Sequence, residues 1–282
     1  MDEDSTSENL KWMYGRAFAS SFSSGMIQPF IYVYAARIGA SSSEIGWMHA
    51  FNNLFPNILQ LPCGRLTDGI GKKTIIIFTT SLFASILLIP VALTTEPRIL
   101  IFLVALYFVL ASASIPAWNA LIREYTKPHS RSLVISNINI ASLTGSLVAT
   151  LLSGWFIDKA GGKMIFPAVV ASISGSSGAL IILKVKEKMF KPGRISLGSI
   201  LKISDMSVLI NENSDFKAFL KLVTLQSFFM SFAWPLFTIT TATILNLSMT
   251  EVGMLTVIQT VSTIIFQALI KSFVIKVGKK PL

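Results

Sequence analysis

Charge is scarce in this sequence. Only 13% of its 282 residues are Asp, Glu, Lys or Arg, about half the share of an ordinary soluble domain. Too few charges remain to cover the surface of a water-soluble fold of this length. Cysteine is nearly absent as well: Cys63 stands alone, which excludes an internal disulfide framework. It sits in an apolar run, where a thiol acts as a small buried hydrophobe. The first eleven residues lack the basic start and short apolar core of a secretory signal. They carry Asp2, Glu3, Asp4 and Glu8 instead, so residues 1–13 are expected to form a solvated polar tail. No HExxH, P-loop or nucleophile elbow occurs, so neither a cofactor nor a metal nor covalent chemistry is expected.

What the chain has in abundance is apolar residues, at 52%, gathered into uncharged runs. A run of about 20 such residues, rising 1.5 Å each, bridges a ~30 Å hydrocarbon layer as a helix. Eight segments qualify: 14–37, 45–66, 74–95, 98–122, 132–157, 164–184, 217–245 and 251–274. Their centres hold no Asp, Glu, Lys or Arg. The fold class read from this is all-α, a polytopic bundle of membrane helices, with the lipid bilayer as its solvent.

The net charge of +10 does not point to nucleic acid, because the basic residues cap the apolar runs and form no continuous face. One set of connections carries Arg65, Lys72 and Lys73, then Arg123, Lys127 and Arg131. It continues with Lys184, Lys186, Lys188, Lys191, Arg194 and Lys202, and ends with Lys276, Lys279 and Lys280. The opposite set holds Arg37, Arg98, Lys159 and Lys163. The richer set belongs in the cytoplasm, which gives a multi-pass protein of the cell membrane with both termini of this chain inside.

The sequence also repeats itself. Ser41, Glu44, Gly46, Gln60, Gly71, Lys72 and Lys73 recur 207 positions later as Ser248, Glu251, Gly253, Gln267, Gly278, Lys279 and Lys280. Ser21, Phe22, Pro29 and Ile38 recur 206 positions later as Ser227, Phe228, Pro235 and Ile244. A repeat of six helices is even in number, so both copies face the same way across the membrane. The domains expected are a six-helix bundle at 14–184, a central linker at 185–216 and the opening two helices of a second bundle at 217–282. Within the linker, Leu197, Ile200, Leu201 and Val208 fall at helical spacing, as in a surface-lying amphipathic helix; a plain linker is the alternative. The second copy halts two helices in. A truncated frame, a fragment, or one part of a split protein whose other chain supplies four helices are the expectations that follow.

Between the second and third runs stands Gly64-Arg65-Leu66-Thr67-Asp68-Gly69-Ile70-Gly71-Lys72-Lys73. This resembles the cytoplasmic signature loop of the major facilitator superfamily, G-x-x-x-D-[RK]-x-G-[RK]-[RK], departing from it at Gly69. Parallel six-helix repeats are the architecture of that family. The second copy retains Gly278, Lys279 and Lys280 but has Ile275 in the acid's place. In physical terms Gly64 permits close helix approach, Gly71 a tight reversal, and Lys72 and Lys73 anchor the turn among lipid phosphates. The resemblance further implies a charge network of Asp68 with Glu124 and Arg131 that latches the cytoplasmic end.

The resemblance implies a secondary or facilitative transporter of a small solute working by alternating access, with its site at mid-membrane between the halves. Polar residues at that depth are the cavity candidates Gln28, Asn52, Asn53, Trp234 and Gln259, joined by Trp118, Asn119, Asn137 and Gln226 closer to the cytoplasmic side. Asn52 and Gln259 share the repeat offset. Gln28 and Trp234 each precede a proline, which frees a backbone carbonyl. Amides of this kind also join helices to one another, at roughly 0.6 kcal/mol each. No span centre offers an acid or histidine; His49 lies near an outer helix end and His129 in a loop. The solute expected is therefore neutral or weakly polar, moved by these helices without protonation. A non-transporting remnant and an intramembrane enzyme are the rival readings.

Overall fold

In the computed structural model, residues 3–126, 131–187 and 214–277 are described. Among them are eight α-helices and one π-helical turn, with no strand. The helices are α1 (Glu3–Arg37), α2 (Ser42–Ile70), α3 (Lys73–Leu93) and α4 (Pro97–Tyr125), followed by α5 (Arg131–Lys159) and α6 (Ile165–Ile182). After the central stretch come α7 (Ser214–Ile239), the π-helical turn (Thr240–Ile244) and α8 (Met249–Val277). The expected amphipathic helix at 195–209 lies outside the described residues, as do Lys279 and Lys280. We call the end bearing the α1–α2, α3–α4, α5–α6 and α7–α8 connections the upper end, and the opposite end the lower.

Among the described residues, six helical stretches are long and apolar enough by composition alone to cross a membrane: α3, α4, α5, α6, Phe216–Ile244 and Met249–Phe266. The other two of the eight helices, α1 and α2, have the length but are less apolar. The reason is compositional. α1 carries Ser20, Ser21, Ser23, Ser24 and Gln28, and α2 carries Asn52, Asn53, Asn57 and Gln60. The expected polar tail is corrected: α1 starts at Glu3, and Asn9 and Met13 are buried. Asn9 is drawn inward because its Oδ1 accepts the Lys186 N–H at 3.0 Å.

Small residues set the packing. In lipid there is no hydrophobic drive between helices, so association relies on close van der Waals contact and hydrogen bonds. A Cβ on Gly25 would stand 2.6 Å from the Ser146 carbonyl oxygen, and one on Gly145 would stand 2.6 Å from that of Phe18. The α1–α5 crossing therefore needs glycine on both sides. Pro29 cannot donate to the carbonyl four residues back, and that carbonyl, Gly25, instead accepts Thr150 Oγ1 at 3.2 Å. Next to it, Ser153 Oγ donates to the Met26 carbonyl at 2.6 Å. The carbonyl freed by Pro29 thus binds α1 to α5.

Two apolar clusters fill the bundle. The upper one includes Phe30, Met48, Leu88, Leu100, Ile157 and Met164, together with Met249 and Val252 of α8. The lower one includes Met13, Ile77, Leu121, Ile138 and Ile182.

Candidate functional site

The signature loop is mostly helix. α2 continues through Gly64, Arg65 and Asp68 to Ile70, and Gly71 then takes the left-handed conformation at φ 70° as its C-cap. That geometry favours glycine, so Gly71 has the role expected of it. Gly64 does not: a Cβ there would make an ordinary 3.7 Å contact with Pro116. Lys72 stands at the N-cap of α3 without a side-chain capping bond.

Lys73 is no lipid anchor. Its ammonium lies 2.8 Å from Glu124 Oε2 and 3.8 Å from Glu187 Oε1, with 13% of its side chain exposed. The Glu187 carboxylate also closes the start of α3. It accepts the N–H of Lys73 at 2.6 Å, that of Thr74 at 3.1 Å, and the Thr74 hydroxyl at 2.7 Å. The structure does not gather Asp68, Glu124 and Arg131 into one network. Asp68 is exposed and joins no ion pair among the described residues, while Arg131 Nε donates to Thr126 Oγ1 at 3.2 Å. Glu187 replaces Asp68 as the acid that completes the cluster. Nothing in the local sequence marked it, because its partners are 113 and 114 positions away.

The cavity candidates divide into three groups. Gln259 lines a cavity of about 500 Å³ between α5 and α8, with Asn139, Ser142, Leu143, Thr260, Thr263 and Ile264. Asn139 and Ser142 are legible in the sequence as an i, i+3 polar pair on α5, whereas Asn137, the candidate from that stretch, is exposed and does not line the cavity. A second group sits in the upper half. Gln28 lies near Tyr107, and Asn52 near Tyr32. The Tyr32 ring stacks on His49 with centroids 3.9 Å apart, and His49 Nε2 lies 2.9 Å from Thr238 Oγ1 of α7. His49, near the outer end of its helix, is thus a bridge between the first six helices and α7. The π-helical turn starts two residues after Thr238, a local widening that often accompanies functional sites.

The third group joins neither. Asn53 donates to the His49 carbonyl of its own helix at 3.1 Å. Asn119, Gln226 and Trp234 are exposed. Trp118 takes the Arg16 guanidinium over its ring at 4.1 Å. Arg16 itself is 7% exposed, and its Nε has no hydrogen-bond partner among the described residues.

At the upper end the two sets of helices meet. Arg37 donates to the Leu247 carbonyl at 2.5 Å. Asp158 of α5 accepts the Met249 N–H at 2.8 Å and the Thr250 N–H at 2.7 Å, and the Thr250 hydroxyl donates to it at 2.5 Å. A Cβ on Gly154 would stand 2.7 Å from the Met249 carbonyl oxygen, so α5 and α8 touch there through backbone. Below this contact they diverge around the polar cavity.

A family model described as Major Facilitator Superfamily matches residues 15–204. Among solved structures, a bacterial homolog of the human lysosomal transporter Spinster, inward-facing and unoccupied, is similar at 18% identity with a TM-score of 0.48. That match covers 69% of this chain and 45% of the other. The same description in the inward-facing and occupied conformation gives 18% identity and a TM-score of 0.43, over 66% and 44% of the two chains. The chain spans less than half the length of these structures. No curated protein matches it.

Proposed function

The chain belongs to the major facilitator superfamily, and from that premise we propose that it moves a small solute across the cell membrane by alternating access. The lower end is cytoplasmic in this reading, as the basic connections require. The observation that carries it is the α5–α8 pair, which is in backbone contact at Gly154 and Met249 and open below around Gln259 and Asn139. A pair of helices hinged in this way can close one end while opening the other. The cluster of Lys73, Glu124 and Glu187 ties the lower ends of α3, α4 and the segment after α6 together, so the first six helices rock as a unit. Asp68 and Lys72, carried at the same end, remain the contact face of the signature loop.

Amides and hydroxyls make up the polar lining of the cavity: Asn139, Ser142, Gln259, Thr260 and Thr263. Such groups bind a neutral or weakly polar solute through hydrogen bonds, with no net charge to neutralise. The polarity of α1 and α2 fits the same picture, since helices too polar for lipid belong beside an aqueous path. A second reading has support from α7, whose Phe219, Phe228, Phe229, Phe232 and Phe237 are exposed. In that reading a separate chain covers α7 and the two chains transport together.

Proteoliposome counterflow against a panel of neutral solutes tests both. Saturable flux that falls on Gln259→Leu is expected, either from the chain alone or only after co-reconstitution with a helical partner. Flux equal to protein-free vesicles in both preparations would refute transport. Proton uptake driven by the chain alone would refute the neutral, unprotonated mode.

A further inference from the structure

We propose that Asp158 is the latch that holds the upper end of the α5–α8 pair closed, an assignment that rests on the two-set rocking proposed above. A helix start leaves its first N–H groups without partners inside the helix. At the start of α8, Ser248 Oγ accepts the Glu251 N–H at 3.2 Å, and the Glu251 carboxylate accepts the Ser248 N–H at 2.7 Å. That reciprocal box leaves the N–H groups of Met249 and Thr250, and Asp158 takes both.

The repeat supplies the control. α2 begins with the same box, Ser41 with Glu44, and among the described residues no acid from another helix joins it. A helix of this sequence type therefore starts without outside help. The Asp158 contact is dispensable for forming α8 and serves to hold α8 against α5. It is also reversible in energetic terms, because water satisfies the same N–H groups once the ends part, leaving only the modest net difference between a charged hydrogen bond in protein and in solvent. Arg37 on the Leu247 carbonyl and His49 on Thr238 close the same end, but each through one hydrogen bond, where Asp158 makes three.

The test uses the full chain in nanodiscs with Cys63, its one cysteine, replaced by Ser. Val252, 6% exposed at the closed end, becomes Cys in one protein, and Gln259 in the cavity becomes Cys in another. Labelling by a hydrophilic maleimide is timed with and without Asp158→Asn. The latch predicts about tenfold faster labelling at 252, the population change expected from losing one charged hydrogen bond, together with slower labelling at 259. Faster labelling at both sites means general loosening and overturns the latch. A Gly154→Leu wedge separates the two ideas. If the wedge opens 252 and closes 259 while Asp158→Asn changes neither, the rocking stands and the latch falls. If the wedge opens 252 and leaves 259 unchanged, the rocking itself falls and takes the latch with it.

Discussion

Glu187 and Asp158 close the starts of other helices in the same way at opposite ends of the bundle. Each carboxylate accepts two consecutive backbone N–H groups and the hydroxyl of the threonine in second place, Thr74 for Glu187 and Thr250 for Asp158. The difference lies in what they join. Glu187 fastens elements within the first six helices, and Asp158 fastens α5 to α8.

Because Glu187 shares Lys73 with Glu124, removing the cation leaves two mostly buried carboxylates facing each other. Lys73→Met should cost about 3–4 kcal/mol, the lower part of the range for breaking buried ion pairs. Asp68→Asn, at an exposed position outside the cluster, should stay within about 0.5 kcal/mol. Thermal unfolding in detergent compares the two; equal losses would place Asp68 back in the network.

Gly145→Val should be among the most damaging single changes at the α1–α5 crossing. Its added carbon meets the Phe18 backbone at 2.6 Å, where no flexible side chain can yield. Overpacking costs typically ~1–3 kcal/mol, and a backbone obstacle belongs at the upper end. Gly46→Ala, with nothing within 4 Å of the new carbon, should leave the unfolding temperature unchanged or slightly raised.

Arg16 packs its guanidinium on Trp118 while its buried Nε finds no partner among the described residues. An unpartnered buried polar group is costly, by roughly 1–3 kcal/mol. Arg16→Met keeps the aliphatic packing and removes that cost, so the unfolding temperature should hold or rise. Trp118→Ala strips the ring and leaves the charge, so it should fall. A fall with Arg16→Met would show that the guanidinium has a partner of real value.

The Ser41–Glu44 box carries a pH signature. Hydrogen bonds from the Ser41 N–H and hydroxyl hold the Glu44 carboxyl below its ordinary value of 4.5. Its support for the start of α2 is therefore present above that value and lost as pH falls through the depressed one. Carbon-detected NMR of the Glu44 carboxyl should show a midpoint below 4.5 that moves up toward it in Ser41→Ala. An unshifted midpoint in Ser41→Ala would rule the box out as the cause.

The helices were legible because lipid imposes a length and a polarity on each run, and the repeat was legible because its residues build the same local object twice. Ser41 with Glu44 and Ser248 with Glu251 both close capping boxes. Gly71 was readable for the same reason, since a left-handed C-cap is set by its own neighbours. The charge cluster was not, because Glu187 reaches Lys73 only after six helices have been arranged. The depth of His49 along its own helix says nothing of its contact, which comes from Thr238, 189 positions on. Pairings that depend on tertiary assembly leave no periodic trace in the chain.

The central claim is that connections alternate between two faces of a membrane, and cysteine mapping in intact cells tests it most directly. In the Cys63→Ser background, single cysteines at Ala40, Thr95, Ala160 and Leu247 sample the upper end, and those at Gly69, Lys72 and Thr126 the lower. An impermeant maleimide added outside should label the first set at once and the second only after permeabilisation. Labelling of both sets in intact cells, or recovery of the chain in the soluble fraction, would contradict the account.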